Sequence, residues 1–104
     1  MAKTHFFHPG KILKIEFLEE YGLSVKAAAE AMRMPRSRLN DIVRGARGIT
    51  ADTALRFSRY FGRSAKFWMD LQTHYDLADA EAQKKTVRTI KSIRPAEIED
   101  RAGM

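Results

Sequence analysis

Apolar positions recur at helical spacing along most of this chain. Ile12, Leu13, Ile15, Phe17, Leu18 and Tyr21 form a mostly apolar face, with Lys11, Lys14, Glu16, Glu19 and Glu20 outside it, as in an amphipathic helix. Pro9 opens that segment, where a missing N–H is harmless, and Gly22 closes it. Ser24 caps a second helix running to about Met32, and Pro35 opens a third that Gly45 ends. Thr50 caps a fourth, with Asp52 favourably placed in its first turn and Gly62 at its end. Ser64 caps a fifth, with Phe67, Trp68, Leu71, Tyr75 and Ala78 on its helical repeat. No strict two-residue alternation persists before the tail. The pattern predicts an all-α domain of five helices over residues 1–78, with Trp68 buried against the first and fourth. Residues 79–104 form a C-terminal extension. There Val87, Ile90 and Ile93 recur every three residues before Pro95, which fits either a short amphipathic helix or an extended arm that orders against a partner. Residues 100–104 are expected to fray.

Charge sharpens this picture. Residues 33–63 hold Arg33, Arg36, Arg38, Arg44, Arg47, Arg56, Arg59 and Arg63 against only Asp41 and Asp52, and that excess equals the +6 of the whole 104-residue chain. The flanking stretches are balanced. Because arginine grips a phosphate or a guanine edge with two hydrogen bonds, duplex DNA is the partner this composition favours. The absence of Cys excludes a disulfide framework, a thiolate nucleophile and a Cys-ligated zinc finger. No apolar run approaches a membrane span and the N-terminal residues lack a signal-peptide core, so a cytoplasmic protein without membrane contact is expected.

The charge excess coincides with a helix–turn–helix pattern over residues 24–45. SVKAAAEAM supplies a first helix whose Ala27, Ala28, Ala29 and Ala31 permit close packing, RM makes the turn, and PRSRLNDIVR supplies the second helix. At about 100° per residue, Leu39, Ile42 and Val43 share a narrow arc. Ser37, Asn40, Asp41 and Arg44 lie opposite, with Arg36 and Arg38 at the flanks. A narrow apolar stripe beneath a broad polar face suits entry into the major groove. Arg36, Ser37, Arg38 and Asn40 are therefore the candidates for base edges or adjacent phosphates. Arg44 and Arg47 are the candidates for holding the backbone.

The chain resembles the HigA/VapI-type antidote proteins of bacterial toxin–antitoxin modules, within the Xre/Cro/lambda-repressor-like superfamily. The resemblance spans about residues 6–78 and rests on HPGKILKIEFLEEYGLS, SRLNDIVRGARGITADTALRFSRYFG and, most specifically, SAKFWMDLQTHYDLA. It implies a five-helix lambda-repressor-like domain, a dimer on a palindromic operator, repression of its own operon, and neutralisation of a RelE-like RNase toxin. Three positions depart from the superfamily pattern. Arg33 stands where the turn usually has Gly, Val25 replaces a phosphate-contacting Gln, and Pro35 replaces Ser at the start of the recognition helix. Two alternatives stay open: a solitary regulator without a toxin, and a toxin-capping module with little DNA binding. A two-fold dimer would set the recognition helices about 34 Å apart, with Val87, Ile90 and Ile93 as material for the contact or for a toxin.

The remaining constellations favour structure over chemistry. His5 and His8 read as a solvated N-terminal pair rather than a metal site. Asp70, His74 and Asp76 cluster without a nucleophile, so no catalysis and no cofactor is expected. Gly45 and Gly48 read as turn glycines, and Phe67, Trp68 and Tyr75 as core.

Overall fold

The structure is a computed structural model and describes residues 7–97. His5 and residues 100–104, for which solvation and fraying were expected, lie outside the described residues. The described residues form helices joined by short turns: α1 (Pro9–Ile12, continuing with π-type bonding over Leu13–Glu19), α2 (Val25–Ala31), α3 (Arg36–Val43), α4 (Ala51–Phe61), α5 (Ala65–Glu81) and α6 (Lys84–Lys91). Helix α1 packs on α3 and α5, α2 on α3, α4 on α5, and α6 on α5.

The helix ends follow local chemistry. The hydroxyls of Ser24, Thr50 and Ser64 accept bonds from the backbone N–H groups of Ala27, Thr53 and Phe67, each satisfying an otherwise orphaned donor. Gly22, Gly45 and Gly62 leave their helices at φ values of 64°, 81° and 88°, a conformation that costs glycine nothing. Pro9 occupies the first turn of α1. Pro35 sits one position earlier than expected: it is the N-cap residue of α3, with ψ of 136°, and Arg36 begins the helix.

The core gathers around one indole. Trp68 has no exposed surface, and its ring lies 5.0 Å from Phe17 of α1 and 4.9 Å from Phe57 of α4. Phe61 and Phe67 complete the shell at 6.1 and 5.1 Å, within the range in which aromatic pairs attract. Trp68 is thus buried against the first and fourth helices, as its spacing predicted. Leu13, Leu18, Ala28, Ala29, Leu39, Ile42 and Ala54 extend this core beneath the helix–turn–helix.

One expectation needs correction, and one open reading is resolved. Ile15 and Tyr21 are exposed: at about 100° per residue Ile15 falls on the far side of the helix from Leu13, Tyr21 lies in the turn beyond the helix, and Leu13, Phe17 and Leu18 face the core instead. The tail is helical: α6 covers Lys84–Lys91, with Val87 half-buried, Ile90 exposed, and Ile93 exposed just beyond the helix. Helix α5 passes without a break through position 78 to Glu81.

Candidate nucleic-acid interface

The recognition helix α3 rests on Leu39 and Ile42, both fully buried, and packs on α2, whose Ala28 and Ala29 are buried. Ala27 and Ala31 remain exposed. Val43 is half-buried, while Arg36, Ser37, Asn40 and Arg44 are exposed on the outer side. The turn before α3 has the geometry that usually calls for glycine. Arg33 adopts φ of 57°, and Met34 N–H donates to the Ala29 carbonyl at 3.0 Å. Met34 is buried beneath the turn, a hydrophobic closure typical of such helix ends. The turn is intact with arginine in it.

A bracket from α4 holds this turn. Arg56 Nη1 donates to the carbonyls of Met32 and Arg33 at 2.9 and 2.8 Å, satisfying carbonyls at the negative end of α2. Its Nε donates to Asp52 Oδ1 at 2.7 Å. The same carboxylate oxygen accepts Arg38 Nη2 of the recognition helix at 3.3 Å. The hydrogen bond from Arg56, reinforced by the charges of Arg56 and Arg38, holds the Asp52 carboxyl below its ordinary range despite some desolvation. Asp52 thereby joins α4 to both helices of the motif.

The other end of α3 is arranged differently. Asp41 accepts Arg44 Nη2 at 2.9 Å and lies 3.8 Å from Arg47 Nη2, and all three side chains are partly solvated. The loop carrying Arg47 is fastened from beneath: buried Gln72 of α5 accepts the Ile49 N–H at 2.7 Å, and its amide donates to Asp76 at 2.9 Å. Gly48 lies flat against that amide, where a Cβ would crowd it at 3.1 Å.

Helix α1 supports the same end. A Cβ on Gly10 would fall on the carbonyl oxygen of Ile42, so only glycine lets α1 press against the end of α3. His8 is not a solvated residue. It is half-buried, its Nδ1 accepts the Gly10 N–H at 2.9 Å, and its ring meets Tyr75 edge-on at 5.0 Å. Desolvation pushes its pKa below 6.5, partly countered by Asp76.

Arg36, Ser37, Asn40 and Arg44 therefore share one exposed face, Arg47 stands on the adjoining loop, and Arg38 is turned toward α4 with its side chain 27% exposed. Arg56, Asp52 and Gln72 are the contributors that sequence reasoning missed. For Asp52 and Arg56 the i, i+4 spacing of opposite charges was a signal. Gln72 offered none. Asp70 pairs with Lys66 and Asp76 with Gln72, so the acidic residues around His74 serve separate contacts. Among the described residues no cluster could hold a metal ion, and no helix is long and apolar enough to cross a membrane.

The helix-turn-helix family matches residues 15–68. Virulence-associated protein I of Dichelobacter nodosus is 53% identical over 83 residues, covering 80% of this chain and 77% of that protein. Antitoxin HigA-1 of Vibrio cholerae is 37% identical over 70 residues, covering 67% and 66%. Among solved structures, the Pseudomonas aeruginosa antitoxin HigA with the higBA promoter superposes with a TM-score of 0.80 at 47% identity, covering 86% of this chain and 97% of that one.

Proposed function

The chain belongs to the helix-turn-helix family, among its HigA-type antidote proteins, and on that premise we propose that it is a sequence-specific duplex-DNA repressor and the antitoxin of its own operon. One observation carries the reading. A recognition helix is buried by Leu39 and Ile42 and presents Arg36, Ser37, Asn40 and Arg44 outward, in a chain similar over most of its length to an antitoxin solved with promoter DNA. Arg36, Ser37, Arg38 and Asn40 take base edges or the adjacent phosphates, while Arg44 and Arg47 hold the backbone. The protein acts in the cytoplasm and neutralises an RNase toxin of the RelE-like class.

One recognition helix reads few base pairs, and a mismatch costs only about 1–3 kcal/mol. A two-fold dimer on a palindrome supplies the missing discrimination with one self-complementary patch. The exposed apolar side chains Leu77, Ile90 and Ile93 along α5, α6 and the residue stretch beyond are the material for that patch.

Footprinting on the promoter of the protein's own gene tests the reading. Binding should weaken steeply with salt, and Arg47→Ala should flatten the salt dependence by about one phosphate contact. Protection that is absent at low salt overturns the repressor role. Co-purification with the neighbouring gene product separates an antitoxin from a solitary regulator.

A further inference from the structure

We infer that Asp52, which lies on α4 outside the recognition helix, determines sequence specificity by positioning the Arg38 guanidinium. The inference rests on the DNA-binding reading above. Arg38 is unlike the other arginines of α3. Its Nη2 is held by Asp52 Oδ1, and its Nε is enclosed by protein with no hydrogen-bond partner among the described residues, so the side chain is packed in place. Arg36 lies in the open and Arg44 is tied only within its own helix. A guanidinium offers five donors in a rigid fork. With Nη2 held by Asp52 and Nε enclosed, the donors of Nη1 and the second N–H of Nη2 are presented in a restricted direction, and less rotamer freedom is lost when they meet a base edge.

Asp52 is itself tied on a second side. Arg56 donates to it while binding the carbonyls of Met32 and Arg33, so the carboxylate is referenced to the turn from which α3 departs. An aspartate beside a phosphate-binding face also repels DNA of every sequence. Asp52 therefore lowers general affinity while raising discrimination, and these opposite signs separate positioning from mere support of the fold.

The test compares dissociation constants for the operator and for an unrelated duplex of equal length at one salt concentration. Asp52→Asn should bind the unrelated duplex more tightly and the operator less tightly, lowering their ratio by about tenfold or more. Introduced into Arg38→Ala, the same substitution should cause no further fall in the ratio. A thermal melt accompanies each variant. If Asp52→Asn does not fold, Asp52→Glu, which keeps the charge but shifts the carboxylate by one methylene, should still lower the ratio. Wild-type discrimination with an unchanged ratio in the folded variant overturns this inference alone, as does an equal fall on both backgrounds. A wild-type protein that does not discriminate overturns the DNA reading and this inference with it.

Discussion

The aromatic heart of the domain and the arm formed by α6 are both helical and both carry apolar side chains, yet they are held by different means. Around Trp68, rings from α1, α4 and α5 meet at 4.9–6.1 Å and leave it no exposed surface. On α6 no residue is buried, and Ile90 remains 56% exposed. Eight residues are too few for a stable isolated helix in water, where roughly 12–15 are marginal. The difference separates the portion that determines whether the chain folds from the portion that we propose meets a second copy.

The largest effect should come from the heart. Trp68→Ala removes the side chain on which three helices converge and should destabilise the domain by about 3–5 kcal/mol, read by calorimetry. A melting temperature within a degree or two of wild type would break the contrast.

A smaller, pH-dependent effect should appear at the cap of α1. Burial lowers the His8 pKa below 6.5, so near and below pH 6.5 the unfolded chain takes up a proton that the folded one resists. Stability contributed by the neutral cap is present above that value and falls as the pH drops. Denaturant titrations between pH 7.5 and 5 should show the fall, and His8→Asn, a cap that does not titrate, should reduce its slope. Equal slopes would place the titration elsewhere.

The smallest effect on stability should come from the arm. Ile90→Ala should change domain stability by no more than about 0.5 kcal/mol, while light scattering at micromolar concentration should report loss of the proposed dimer. A large destabilisation with unchanged assembly would reverse the roles of the two regions.

The features legible in the sequence were those decided by neighbours in the chain. Ser24, Thr50 and Ser64 cap because each oxygen reaches an N–H three residues ahead, and Gly22, Gly45 and Gly62 end helices by local conformation. Trp68 was legible because helical spacing placed it among apolar neighbours. The Arg56 bracket was not, because it spans 23 and 24 residues to its carbonyl partners and no periodicity encodes a side chain reaching that far. The same holds for Gln72, 23 residues from Ile49. The face of α1 was misjudged at Ile15 and Tyr21 because the six apolar positions spread around too much of the helix to share one buried side. The exposed arc of α3 was legible, whereas the inward turn of Arg38 depends on a carboxylate in another helix.

The enclosed indole also makes the protein its own optical probe. Trp68 is the only tryptophan in the chain, so emission excited at the red edge of protein absorption originates at one point in the core. With no exposed surface, that point cannot touch a nucleic acid. A change of emission on adding operator would signal rearrangement among α1, α4 and α5, and an unchanged spectrum would mean that the domain docks as a rigid body.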